Sequence, residues 1–82
     1  MVLRFQSGFE VAKFSDLKYD GMAVEIRLDG VPLAELNRDK GKYSQEIEIP
    51  SRFSPESHSF VFPLNDFIEA LEAARNLLET LE

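Results

Sequence analysis

The sequence has no cysteine and no tryptophan, only one histidine, and no apolar run long enough to cross a bilayer. Without cysteine, neither a disulfide framework nor a thiolate metal site can form, so stability must come from packing and a reducing compartment fits best. The opening residues MVLRFQSGFE lack the apolar stretch and small-residue cleavage site of a secretion leader, which makes a soluble, cytoplasmic protein the expectation. With 82 residues the chain is expected to be one α+β domain over 1–82. A chain of that size buries only about 60% of its unfolded surface, which limits it to a modest core.

Glycine is equally sparse. Gly8, Gly21, Gly30 and Gly41 are separated from one another by at least eight residues, so no GxGxxG or Walker pattern can be built from them. No nucleotide cofactor is implied. Each glycine sits in a turn context instead: Ser7-Gly8, Asp20-Gly21, Asp29-Gly30 and Asp39-Lys40-Gly41. The last suits a type I turn followed by a left-handed glycine, as in a meander of hairpins.

Between these turns apolar residues alternate. Val24, Ile26 and Leu28 oppose Ala23, Glu25 and Arg27, the two-residue period of a half-buried strand. The same period puts Tyr43, Gln45, Ile47 and Ile49 on one side of a later strand, and His58, Phe60 and Phe62 on one side of the next. Strands are predicted near 2–6, 9–14, 22–28, 31–37, 42–49 and 58–62. Within 31–40, Pro32 demotes the strand to an edge, and Leu33-Ala34-Glu35-Leu36 also suits a short helix.

The C-terminal segment reads as a helix. Leu64, Phe67, Ile68, Leu71, Ala74, Leu78 and Leu81 follow helical spacing, Pro63 separates them from the preceding strand, and Asn65 or Asp66 suits the cap. Phe67, Ile68, Leu71 and Leu78 are the expected core face. The predicted fold is therefore α+β: a mainly antiparallel meander of five to six strands with one C-terminal helix on one face. A helix only about 10 Å thick cannot cover such a face unaided. Either the sheet curls around it or another surface covers the remainder.

Charge is divided along the chain. Seven basic residues balance seven acidic ones up to Lys42, whereas from Tyr43 onward Arg52 and Arg75 face eight acids, so the whole net charge of −6 lies in the second half. This balance disfavours nucleic acid and favours a basic protein partner. Solubility alone is the competing explanation. On the helix, Asp66 and Glu69 complement the positive N-terminus, while Glu79 and Glu82 oppose the dipole at the other end unless Arg75, fraying or an external cation relieves them.

Catalytic constellations are thin. There is no nucleophile elbow, and His58 beside Glu56 in PESHSF suits a general base or half of a metal pair less well than a histidine at a strand start. Glu46 and Glu48 on one side of a strand form a solvated stripe more naturally than an acid/base pair, which must flank a substrate across a cleft. In the connection Pro50–Ser57, Phe53 beside Arg52 either anchors an interface or folds back to plug an open edge of the core.

The strands closed by FPLNDFIEALEAARNLLETLE, with LDGVPLAEL between them, resemble small bacterial immunity proteins that neutralise a partner toxin. The resemblance implies binding without catalysis, through an acidic surface that occludes the cationic active site of a toxin. From the residues themselves, Glu46, Glu48, Arg52, Phe53, Glu69 and Glu72 are the candidate partner-binding positions. No catalytic, cofactor or metal residue is nominated, and neither nucleic acid nor membrane is expected as a partner. The alternative is a structural protein that self-associates, as a homodimer for example, through an uncovered sheet face or strand edge.

Overall fold

The computed structural model describes residues 2–80. Five strands, β1 (Val2–Arg4), β2 (Phe9–Phe14), β3 (Ala23–Leu28), β4 (Val31–Asn37) and β5 (Glu46–Glu48), precede one helix, α1 (Leu64–Glu79). The strands lie side by side in chain order, and every neighbouring pair is antiparallel. The glycine turns account for this meander. Asp29 and Gly30, with φ of 50° and 83°, form the two-residue link between β3 and β4, where both central residues need positive φ.

Cross-strand register sorts the side chains into two faces. Leu3, Val11, Ile26 and Ala34 lie opposite one another on the helix side, as do Val24, Leu36 and Ile47. Leu33 is the extra residue of a bulge opposite Ile26 and Arg27, and it too is buried in the core. On α1 the fully buried positions are Ala70, Ala74 and Leu78, whose alanines let the helix backbone approach the sheet. Phe9, Phe62 and Phe67 close one end of this core, with ring centroids 5.2 to 6.1 Å apart.

Several expectations are corrected. Residues 58–62 form no strand; Phe60 and Phe62 alternate because they pack against the core, without any ladder partner. β5 is three residues long, since residues 38–44 are consumed by successive turns closed by Gly41 N–H to Arg38 C=O and Ser44 N–H to Gly41 C=O. Tyr43 is accordingly exposed. Residues 31–37 form the predicted strand, and the short-helix alternative falls away. β4 is interior only at Glu35–Asn37, where β5 pairs with it, so Pro32 falls where no strand needs its missing N–H.

The helix begins two to three residues earlier than its capping candidates, Asn65 or Asp66, require. Pro63 is the N-cap, without a side-chain cap, and Asp66 sits in the first turn, where its charge favours the dipole. At the other end the Thr80 hydroxyl donates to Leu77 C=O at 2.7 Å, and Arg38 Nη1, from the turn after β4, donates to Glu79 C=O at 3.4 Å. The cation missing from the last turn is supplied across the fold. Leu81 and Glu82 lie outside the described residues.

Candidate protein-binding surface

The position of α1 sets the surface. The helix contacts β2, β3 and β4 and does not reach β5, so the helix-side face of the last strand has no cover. Ile47, on that face of β5, is 43% exposed, and Ile68, on the flank of α1, is 41% exposed. Ile68 was expected in the core; it points instead toward the uncovered edge. Together with Leu36, Leu71, Gln45, Glu46, Glu72 and Arg75 these residues line an apolar hollow of about 340 Å³. A second hollow lies one step along, between Leu33 of β4, Ile49-Pro50 just after β5 and Phe67 of α1, with Phe60, Phe62 and His58 at its side. The result is an apolar trough between a strand edge and a helix.

The helix that walls the trough carries more carboxylates than cations, although Glu72 and Arg75 are its two charged residues that line the hollow itself. Among the described residues no ion pair involves Asp66, Glu69, Glu72 or Glu79, and Arg75 is the only cation on α1. Glu46 and Glu48 project to the other side of the sheet, opposite Asn37 and Glu35. Each has a local lysine: Lys40 Nζ lies 2.9 Å from Glu46, which raises the Lys40 pKa, and Lys18 pairs with Glu48. The four nominated glutamates therefore occupy two surfaces, and those on α1 make no ion pair among the described residues.

The face away from the helix holds a buried polar cluster that sequence reasoning missed. The Glu35 side chain is completely buried and accepts hydrogen bonds from the Tyr19 hydroxyl at 2.8 Å, the Ser51 hydroxyl at 2.9 Å and the Arg52 backbone N–H at 2.9 Å. Burial alone would raise its pKa, but these donors and the Arg52 charge outweigh burial and hold the carboxyl below its ordinary value. Tyr19 moves upward in turn, first through burial and then through its bond to Glu35. Three hydrogen bonds, from Tyr19, Ser51 and Arg52, satisfy this buried carboxylate, so it is placed to brace the segments that carry them. Alternation along β4 puts Glu35 on the face away from the helix but carries no sign that the 15–22 and 50–54 connections bury it.

What the cluster braces is the connection after β5. Ser51 N–H donates to Leu33 C=O at 2.8 Å and the Ser54 hydroxyl to Pro32 C=O at 2.6 Å, so this loop covers the edge of β4 that β5 leaves bare. Arg52 is held by Asp16 at 2.8 Å and lies 4.6 Å from the Phe53 ring. The Lys18 backbone N–H and then Arg52 lower the Asp16 pKa in consequence. Phe53 remains 49% exposed, so it does not plug the core; the hydrogen-bonded loop presents it beside the ion-paired guanidinium of Arg52.

His58 is exposed and packs edge-on against Phe60, with centroids 4.5 Å apart. Neither Glu46 nor Glu48 lines its hollow. Among the described residues no group of three or more His, Cys, Asp and Glu comes together to hold a metal ion, and no helix is long and apolar enough to cross a membrane. Comparison with known protein families, with characterised proteins and with solved structures finds no match.

Proposed function

We propose that this chain is a non-enzymatic protein-binding module whose partner is a basic protein. The observation that carries the reading is the apolar trough between β5 and α1, walled by a helix with several carboxylates and one arginine, whose carboxylates make no ion pair among the described residues. Apolar area supplies affinity on binding, while the excess of acids on the helix steers and orients a cationic partner. In its finer form the reading is an immunity protein that occludes the active site of a basic bacterial toxin, consistent with the resemblance of the sequence to that class. Glu72 and Glu46 line the hollow, Glu69 lies beside Ile68 on the helix, and Arg52 and Phe53 provide a second contact beyond it; Glu48 acts through the neighbouring sheet face.

The test is direct. Basic domains encoded next to this chain in its genome are purified, and association is followed by stopped flow at low and physiological salt. Glu69→Gln/Glu72→Gln should fold normally, associate more slowly and show a weaker salt dependence, because screening then has less field to remove. Equal rates and equal salt slopes would remove the acids from the interface. Self-association is the second reading, favoured by the exposure of Ile47 and Ile68. A concentration-independent dimer mass in sedimentation would establish it.

A further inference from the structure

The connection from β5 to α1, residues 49–63, is long for so small a domain, and its last part is unpaired. His58 N–H closes a turn on Pro55 C=O, and Asp66 N–H opens the helix on Pro63 C=O. Between them, residues 59–62 make no backbone hydrogen bond among the described residues. Exposure nevertheless alternates there: Ser59 is exposed, Phe60 half-buried, Val61 89% exposed and Phe62 half-buried. That is the two-residue period of a strand held by one face and lacking a neighbour in its own chain. Free donors and acceptors on such a backbone are completed by a second extended backbone.

Charge and symmetry choose the neighbour. Residues 57–65 hold no Asp, Glu, Lys or Arg, the longest such stretch of the sequence. Edges that stay unpaired are short and charged, and both edges of this sheet are: β1 carries Arg4, and β5 carries Glu46 and Glu48. Residues 59–62 have no such guard, and nothing in them selects a partner of either sign. They do match themselves. A two-fold axis perpendicular to an antiparallel pair keeps each side chain on its own face, so the axis must pass through a residue and not between two. Placed through Val61, it sets the two Val61 side chains together on the solvent side, and Phe60 of each copy beside Phe62 of the other on the core side. Phe60 and Phe62 line the hollow of about 380 Å³ that Leu33, Pro50 and Phe67 bound, so the second copy brings aromatic rings to its rim.

We propose that residues 59–62 are a dimerisation strand, which pairs antiparallel with the same segment of a second copy of this chain about Val61. The inference does not rest on the basic-partner reading, which uses the trough between β5 and α1. Four residues a side make a small interface, so the dimer is reversible on dilution. Each copy carries a net charge of −6, so general repulsion opposes pairing and salt strengthens it, whereas salt weakens the binding of a basic protein.

Sedimentation equilibrium of the full chain over a dilution series, at low and high salt, measures the pairing. A monomer–dimer equilibrium that tightens with salt is expected. Val61→Asp, at a position with almost no burial, should keep the folded amide spectrum and weaken dimerisation at least about tenfold, because it sets two carboxylates opposite each other. Val61→Thr, neutral and β-branched, should dimerise as the wild type does. Amide exchange within 59–62 should slow as concentration rises, and a sample mixing labelled and unlabelled chains should give contacts between Phe60 of one copy and Phe62 of the other. A monomer at every concentration and salt, or unchanged dimerisation of Val61→Asp, would overturn the proposal. So would a dimer abolished by Ile68→Asp without protection of residues 59–62, which would assign self-association to the trough instead.

Discussion

Tyr19 and Glu35, sixteen residues apart, meet on the sheet face away from the helix, where the phenol donates to Oε1 of a fully buried carboxylate at 2.8 Å. This bond joins the connection before β3 to the centre of β4, and through the other carboxylate oxygen to Ser51 and Arg52. One side chain thus fixes two loops on the same face. The loop that carries Phe53 owes its position to it.

Removing a donor should therefore be costly out of proportion to the atoms lost. Tyr19→Phe and Ser51→Ala are each expected to destabilise by about 1–3 kcal/mol, since each leaves a buried anion short of a hydrogen bond. The double variant should depart from additivity because both donors serve one carboxylate. Urea denaturation checks this; losses below about 0.5 kcal/mol for both would mean that water replaces the donors freely.

Acid should weaken the same cluster. The Glu35 carboxyl is held below its ordinary 4.5, so the folded chain takes up this proton less readily than the unfolded chain. Its stabilising contribution is complete above that ordinary value and is lost as pH falls through the lowered folded pKa. Glu25 acts in the opposite sense: burial raises its pKa despite Arg27, so its cost to stability is relieved on acidification. Glu35→Gln should flatten the decline in urea midpoint below pH 4.5, and an unchanged decline would place the acid sensitivity elsewhere.

Along α1 the cost of truncation should follow burial and not hydrophobicity. Leu78→Ala, at a position with no exposure, is expected to cost about 2–5 kcal/mol, whereas Ile68→Ala should cost under about 1 kcal/mol. Phe67→Ala and Leu71→Ala should fall between them. Ala74→Leu should also destabilise, by about 1–3 kcal/mol, because the helix backbone sits close to the sheet there. Thermal or chemical denaturation that ranks Ile68 with Leu78 would contradict the orientation of the helix.

Gly8 and Gly41 test the turns. Both have positive φ, 96° and 125°, but a Cβ on Gly8 would also meet the Asp29 carboxylate, whereas Gly41 faces open space. Each alanine substitution should cost at least about 1 kcal/mol from backbone strain, with Gly8→Ala the worse of the two. Equal stability of Gly8→Ala and wild type would mean that the first hairpin relaxes without loss.

Much of the architecture was legible in local pattern. Val24, Ile26 and Leu28 alternate, Phe67, Leu71, Ala74 and Leu78 recur at helical spacing, and Asp29-Gly30 marks the tightest hairpin; each signal spans only a few residues, and the backbone conformation it favours is local too. The same patterns misled where alternation reflected packing alone. Phe60 and Phe62 face the core on alternate residues without a neighbouring strand to make them β, and Tyr43 alternates with Ile47 across a run of turns. The sequence by itself determined the order and kind of the elements, the uneven charge and the glycine turns. Only the tertiary structure decided that α1 lies away from β5, which turns Ile68 and Ile47 outward, and that two loops seal Glu35 from water. Those outcomes depend on which distant residues meet, and neither periodicity nor composition along a single chain encodes that distance.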